Sequence, residues 1–211
     1  MAFSLKLAVA AALVVTLSVC MVEGYPSGAP VEACSAMFPN HRMNHENSSL
    51  PDERYSSQNL STAPYLITAA RQDNGKVQVS LGVTDAAQYY WEGFFLQARL
   101  QGTTAPVGRW EVLPTGTQTR DCPGGMKNAL THTSETKVRT LDATWTPPAA
   151  PANMTVVFRV TFVKGFETFW VGLESAPVTG VKAYVSATVP LKALTTVVFS
   201  TALMATVAAM F

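Results

Sequence analysis

Three histidines are the residues of this 211-residue chain with the clearest capacity for chemistry. His41 and His45 lie four positions apart with Glu46 beside them, and His132 is distant in sequence. On a helix this spacing would place two imidazoles on one face, where they could bind a metal ion. The surrounding residues favour a loop instead. The sequence therefore predicts no metal centre, and His41, His45 and His132 remain weak candidates for one.

The sequence carries no pattern typical of a catalytic site. It contains no Gly-x-Ser-x-Gly, no phosphate-binding loop and no His-Glu-x-x-His. A net charge of +1 and a charged fraction of 14% leave no basic stripe, which excludes nucleic acid as an expected partner. We therefore expect a protein that is not an enzyme and that uses no cofactor.

The first residues of the chain have the three parts of a secretory signal peptide. Lys6 supplies the positive charge, residues 7–19 are apolar, and a cleavage site follows Gly24. The alternative is a membrane anchor, but the apolar core is shorter than the ~20 residues needed to cross hydrocarbon. The sequence predicts that residues 1–24 are removed and that the mature protein is extracellular.

The last residues form a second apolar segment, 193–211, with no charge after Lys192. An apolar tail after small residues and a polar spacer is typical of a GPI attachment signal, with Ser186 as the predicted lipid-bearing residue. The spacer is short, so Gly180 and Ala183 are alternative sites. A membrane helix in contact with lipid, or a secreted form that keeps the tail, are the other interpretations.

Removal of the first segment takes Cys20 with it and leaves Cys34 and Cys122. In an oxidising compartment an even pair indicates a disulfide, and two free thiols are rare there. A bridge across so long a loop is worth up to about 4–5 kcal/mol by the chain-entropy model. Three glycosylation sequons begin at Asn47, Asn59 and Asn153, and they predict surface loops.

The central part of the chain shows a period of two residues, which is typical of half-buried strands. The segments with clear alternation are 77–83, 94–100, 141–145 and 156–162, and further candidates are 65–71, 109–113, 128–133 and 168–173. Asn74-Gly75 between two of them predicts a hairpin in which both residues adopt positive φ. We predict an all-β, immunoglobulin-like sandwich of about seven to eight strands with one disulfide, over residues 25–175, followed by a linker at 176–192.

Aromatic residues are densest between Tyr89 and Phe95. Most of them are expected in the core, because a sandwich of this size needs several large side chains. Phe95 has the opposite parity to Phe94 along its strand, so it is the candidate for an outward-facing aromatic that binds a ligand.

Several ordered stretches resemble the reeler domain, the module named for the N-terminal part of reelin. The matching stretches are 26–30 PSGAP, 34–41 CSAMFPNH, 91–99 WEGFFLQAR, 131–133 THT, 145–148 WTPP, 156–163 VVFRVTFV and 169–170 FW. The resemblance implies an immunoglobulin-like sandwich with a bridge between Cys34 and Cys122. It also makes His41 and His132, which lie in matched stretches, stronger functional candidates.

Stand-alone reeler proteins are described as immune-induced defence proteins that engage microbial surfaces, so the resemblance implies a defence role. Other members are ferric-chelate reductases, but this chain is too short for their haem-bearing helices. We expect a recognition module for microbial or glycan surfaces. The alternative is a GPI-anchored adhesion or structural protein that binds a cell-surface protein, and the third is a metal or redox accessory.

Overall fold

The computed structural model describes residues 25–41, 54–151 and 153–184. These residues form ten strands and two short 3-10 helices, Val31–Cys34 and Leu60–Thr62. The strands are β1 (Tyr65–Arg71), β2 (Val77–Val83), β3 (Gly93–Leu100), β4 (Arg109–Val112), β5 (Thr117–Arg120), β6 (Ala129–His132), β7 (Thr140–Thr146), β8 (Met154–Gly165), β9 (Thr168–Glu174) and β10 (Val178–Val181).

The strands pair in two antiparallel sheets. The four-stranded sheet has the order β1-β2-β7-β4, and the six-stranded sheet has the order β10-β8-β3-β6-β5 with β9 also paired to β8. The twelve-residue strand β8 is long enough to pair with β10 near its start and with β9 near its end. The predicted all-β sandwich is confirmed.

The residues that alternate inward from both sheets form the main core. Trp145 and Trp110, both fully buried, pack edge-to-face with the ring of Phe158, with centroids 5.4 and 6.2 Å away. Tyr65 stacks on Phe162 at 4.3 Å. Such pairs add about 0.5–1.5 kcal/mol each beyond the area they bury. The aromatics of this core therefore hold the two sheets face to face.

The predicted hairpin joins β1 to β2, but its turn differs from the prediction. Positive φ occurs at Gly75 (81°) and not at Asn74. The amide of Gly75 donates to the carbonyl of Gln72, and the amide of Gln72 donates to the carbonyl of Lys76. The connection is therefore a three-residue loop that ends in a left-handed glycine, one of the common alternatives to a two-residue turn.

Two strands were not predicted. The described residues form ten strands, where seven to eight were expected. The residues of β5, Thr117–Arg120, are all polar, so the strand has no hydrophobic alternation to reveal it. Strand β10 has four residues and lies within the segment 176–192, which was expected to be a linker. Its residues Val178 and Val181 are buried against β8, so the sandwich continues past residue 175.

Residues 25–41, here called the N-terminal segment, cover the outer face of the six-stranded sheet. The predicted disulfide is confirmed, because Cys34 and Cys122 are bonded with their Cα atoms 5.6 Å apart. A second buried cluster surrounds it, separate from the main core, and includes Met37 and Phe95. Every residue of β3 except the last is consequently buried, on both faces of the sheet.

Two polar side chains of β3 donate hydrogen bonds to the main chain of the N-terminal segment and hold it against the sheet. Gln97, fully buried, donates from its amide to the carbonyl of Cys34 at 2.9 Å. Arg99, 5% exposed, donates to the carbonyl of Ser35 at 3.1 Å and to the side-chain oxygen of Gln97 at 2.7 Å. Buried polar groups are costly without partners, so these bonds make the fit between segment and sheet specific.

Several predictions concern residues that lie outside the described part of the chain. These are the signal peptide at 1–24, the histidine at His45, the sequon at Asn47, the attachment site Ser186 and the apolar tail at 193–211. Within the described ranges, neither helix has the length and apolar character needed to cross a membrane.

Candidate functional site

A cavity of about 320 Å³ lies between the N-terminal segment and the outer face of the six-stranded sheet. Its apolar walls include Ala33, Met37, Phe38, Phe95, Val163 and Phe166. Its polar lining includes Tyr25, His41, His132, Glu92, Glu135 and Thr161. The size is at the lower end of the range for small-molecule sites, and an apolar wall with a few polar groups is typical of them. We name it the histidine cavity.

His41 is held at the end of the N-terminal segment by two phenylalanines. Its imidazole stacks on the Phe166 ring with centroids 4.4 Å apart, and its edge meets Phe169 at 5.7 Å. Nδ1 donates to the main-chain carbonyl of Phe166 at 2.5 Å. Since a neutral imidazole carries one proton, Nε2 of His41 is left with a lone pair that can accept a hydrogen bond.

His132 ends strand β6 and faces the start of β3. Nδ1 of His132 lies 3.2 Å from the amide nitrogen and 3.3 Å from the carbonyl oxygen of Phe94, and the main chain of Tyr25 accepts a hydrogen bond from the ring. Gly93 leaves room for this imidazole, because a Cβ atom there would lie 3.0 Å from Cε1 of His132. A glycine at the start of β3 therefore permits the close approach.

Both cavity histidines are neutral at pH 7. Burial lowers the pKa of His41 and the pKa of His132, and it outweighs the hydrogen bonds to Phe166 and Phe94 that act in the opposite direction. Glu135 acts on both rings by charge, which places one carboxylate close enough to influence the two imidazoles. Among its described lining residues, the cavity thus joins neutral imidazoles and carboxylates, and none of those residues is a lysine or arginine.

The metal hypothesis gains little from this arrangement. In the part of the chain that the structure describes, no three histidine, cysteine or acidic side chains are placed to hold an ion. The helix that would align His41 with His45 does not form at His41, since Asn40 beside it has a φ of 58°. The structure brings together His41 and His132, which sequence spacing did not predict.

A hydroxyl lies beside His132, as in a pair of nucleophile and base, but its hydrogen bonds exclude that role. Thr131 Oγ1 lies 3.2 Å from Nδ1 of His132. The hydroxyl donates to the carbonyl of Phe94 at 2.7 Å and accepts from the amide of Ala29 at 3.0 Å. Thr131 is also fully buried. It is a structural link between strands and the N-terminal segment, because its proton is already committed.

The prediction that Phe95 is an exposed, outward-facing aromatic is wrong. Phe95 does lie on the outer face of β3, as its parity indicates, but it is only 3% exposed. The N-terminal segment covers it, and its neighbours are the disulfide, Met37 and Ala129. Phe95 therefore forms part of the wall of the histidine cavity.

The half-exposed members of the predicted aromatic cluster are Tyr89 and Tyr90, which form a surface patch with two lysines. Lys137 Nζ lies 4.6 Å from the centroid of the Tyr90 ring. Lys164 Nζ lies 5.8 Å from the Tyr89 ring and 5.7 Å from the Tyr90 ring. We name these four residues the tyrosine–lysine patch. Ammonium groups held over aromatic faces combine positive charge with flat apolar surface.

Two of the three predicted sequons lie in described loops. Asn59 is exposed and caps the 3-10 helix Leu60–Thr62, with its side-chain oxygen accepting from the amide of Ser61 at 3.0 Å. Asn153 is exposed just before β8 and has a φ of 58°. Their positions leave both side chains accessible, and glycosylation of each stays a prediction.

Sequence reasoning missed most of the cavity lining. Met37, Glu135 and Phe166 lie in segments with no periodicity, and they meet only because the N-terminal segment folds back over the sheet. A usable signal was present at Phe95, whose bulky apolar side chain on an outer face indicates that something covers that face.

These features define a disulfide-linked β-sandwich module with a covered outer face. The chain belongs to the Reeler domain family, whose family model matches residues 32–185. The resemblance seen in the sequence is thereby confirmed.

Comparison with known proteins gives relatives of two kinds. The chain is 36% identical to "Putative defense protein 3" of Antheraea mylitta over 184 residues, which cover 85% of this chain and 97% of the relative. It is 31% identical to "Putative ferric-chelate reductase 1" of Danio rerio over 159 residues. That match covers 75% of this chain but only 26% of the reductase, so the reductase activity does not transfer.

A solved structure of similar fold is the human F-spondin reeler domain, with a TM-score of 0.44 and 16% identity. The alignment covers 57% of this chain and 93% of that domain.

Proposed function

We propose that this protein is an extracellular, non-catalytic recognition module of innate defence that binds microbial or glycan surfaces through the tyrosine–lysine patch. Its similarity to an insect protein named for defence supports the general role. The Cys34–Cys122 bridge supports an oxidising compartment outside the cytosol. The observation that carries the choice of surface is the pair of lysines held over two half-exposed tyrosines.

The chemistry of the patch suits an anionic carbohydrate surface. Tyrosine rings offer flat apolar faces with a polar tip, which pack against sugar rings. Lys137 and Lys164 make no ion pair with any described residue, so their ammonium groups are free to meet phosphate or carboxylate groups. Salt should weaken this attraction, because both groups lie near the surface.

Binding of purified protein to bacterial cells and to lipopolysaccharide tests the proposal. The double variant Lys137→Glu/Lys164→Glu should bind at least about ten-fold more weakly, since it replaces attraction by repulsion. The charge-matched control is Lys127→Glu/Lys182→Glu, which changes two exposed lysines elsewhere. Equal loss in both variants, or wild-type binding no stronger than that of an unrelated sandwich domain, would count against the patch.

A lipid-anchored role at the cell surface is the second candidate. The sandwich ends with β10 at Val181, and the predicted attachment site Ser186 follows it closely. Attachment at Gly180 would remove Val181, which is buried and pairs with Met154, so the structure favours a later site. A phosphatidylinositol-specific phospholipase should release the protein from cells that express the full chain. Retention after treatment would refute the anchor and leave the binding proposal intact.

A further inference from the structure

We propose that the histidine cavity binds a small organic cation, an amine with an aromatic or aliphatic body of about a dozen non-hydrogen atoms. The cavity is distinct from the tyrosine–lysine patch, and the inference does not depend on recognition of microbial surfaces. It follows from three properties of the cavity: its volume, the sign of its charges and the direction of its hydrogen-bonding groups.

The volume sets the size of the ligand. At about 320 Å³ the cavity is roughly twice the volume of an engineered cavity of about 150 Å³ that binds benzene. A phenyl ring with a short alkyl chain fills such a space. The apolar walls contributed by Met37, Phe95 and Val163 would surround the body of that ligand and remove it from water.

The charges of the lining set the nature of the head group. Glu92 and Glu135 contribute carboxylates, and none of the described lining residues is a lysine or arginine. Arg120 acts on His132 by charge, but its guanidinium already donates to the Ala29 carbonyl and to the Gln118 side chain. An anionic head group would meet like charge here, whereas an ammonium group would be attracted.

The hydrogen-bonding groups of the lining are mainly acceptors. Nδ1 of His41 donates to Phe166, so its Nε2 presents a lone pair, and it makes no hydrogen bond to any other described residue. Carboxylates are acceptors only. Phe95 and Phe166 add aromatic rings to the lining, and an aromatic face attracts a cation placed over it. A ligand with several N–H donors satisfies this set, and one with acceptors alone does not.

Isothermal titration of the purified protein with three ligands of one shape tests the inference: 4-phenylbutylamine, 4-phenylbutanol and 4-phenylbutyrate. The amine should bind most tightly, the alcohol more weakly, and the carboxylate at least about ten-fold more weakly than the amine. Carboxylate binding equal to that of the amine would overturn the inference, as would the absence of binding by all three at millimolar concentration.

Variants assign the binding to the cavity. Val163→Trp fills the space and should abolish amine binding, whereas Leu66→Trp adds the same ring on the exposed face of the other sheet and should leave it unchanged. Glu135→Gln should weaken the amine several-fold but not the alcohol, and Glu174→Gln, which lies outside the cavity, should weaken neither. Amine binding that survives both cavity variants would place the site elsewhere and refute the proposal.

Circular dichroism would show whether Val163→Trp fails to fold. In that case, the comparison of Glu135→Gln with Glu174→Gln decides whether the amine binds in the cavity. The bacterial-binding assay separates this inference from the proposed function. Loss of amine binding in Glu135→Gln with normal attachment to cells would show two independent sites.

Discussion

His41 and Phe166 are joined twice, by rings that stack 4.4 Å apart and by a hydrogen bond from Nδ1 to the main-chain carbonyl. The two residues come from the N-terminal segment and from the turn between β8 and β9, so this pair closes one end of the cavity. The bond also fixes the tautomer of His41. The sequence spacing suggested His41 as one of two ligands of a metal ion. In the structure, its Nε2 is instead positioned to accept a hydrogen bond.

The buried histidines predict a loss of stability in mild acid. Burial lowers the pKa of both His41 and His132 in the folded state, while the unfolded chain titrates near 6.5. Below about pH 6.5 the unfolded state therefore binds more protons, and stability falls as the pH drops toward the folded pKa values. Urea denaturation at pH 7.5 and pH 5 measures this.

Titration of the two Hε1 resonances by NMR checks the cause. Both midpoints should lie below about 6.5. The double variant His41→Phe/His132→Gln should lose much of the difference in unfolding free energy between the two pH values. A midpoint above the ordinary value for either histidine would contradict the assignment.

Gly93 is predicted to be required for the position of His132. A Cβ atom there would lie 3.0 Å from Cε1 and 3.3 Å from Nε2 of His132, and 3.4 Å from Cβ of Val163. Gly93→Ala should cost about 1–3 kcal/mol and shift the His132 resonances. Gly82→Ala is the matched control, because Gly82 is also in a strand and has no atom near its missing Cβ. Equal effects of the two changes would argue against crowding.

The disulfide is predicted to hold the N-terminal segment in place. The double variant Cys34→Ala/Cys122→Ala should lose about 2–5 kcal/mol of unfolding free energy, chiefly because the unfolded chain is no longer constrained. Hydrogen exchange of the amides of Gly28 and Met37, whose hydrogen bonds lie within the segment, should accelerate more than that of β2. Uniform acceleration would show that the segment and the sandwich unfold as one unit.

Glu111 of β4 is predicted to link β7 and the turn before β2 to its own strand through its charge. Its carboxylate accepts from Arg109 at 2.7 Å, Thr146 at 2.8 Å and Lys76 at 3.2 Å, and these bonds, Arg109 first, lower its pKa to about 2. Glu111→Gln should cost about 1 kcal/mol at pH 7, a modest value because the site is partly exposed.

The lowered pKa of Glu111 determines how its contribution to the free energy of unfolding changes with pH. A depressed carboxyl pKa stabilises the fold above the unfolded value of about 4.3, and the contribution is lost as the pH falls toward 2. The stability difference between wild type and Glu111→Gln should therefore shrink in acid. A difference that stays constant from pH 7 to pH 2 would mean that charge is not its source.

The sequence predicted the parts of the fold that depend on alternation. Strands such as β2 and β7 have one apolar face, and their registers follow from burying it. Strand β5 escaped detection because Gln118 and Arg120 bond to the N-terminal segment instead of packing in the core. The pairing of Cys34 with Cys122 was predictable because only these two cysteines remain after the signal peptide and the compartment is oxidising.

The cavity was not predictable in this way. It arises where an irregular segment crosses a sheet, and neither element has a local pattern that encodes the crossing. The main traces of it in the sequence are Phe95 on the outer face and Gly28, where a Cβ atom would lie 2.5 Å from the carbonyl oxygen of His132. The steric demand at Gly28 can be recognised only from the folded contact, whereas Phe95 shows from its place in the strand only that its face is covered.

Whether the covered face of the six-stranded sheet is a ligand site is tested most directly by NMR titration of the wild-type protein with 4-phenylbutylamine. Saturable shifts of the Hε1 resonances of His41 and His132, together with the amides of Gly93 and Val163, are the predicted result. Shifts confined to residues outside the cavity, or changes that grow linearly without saturation, would contradict a binding site between the N-terminal segment and β3.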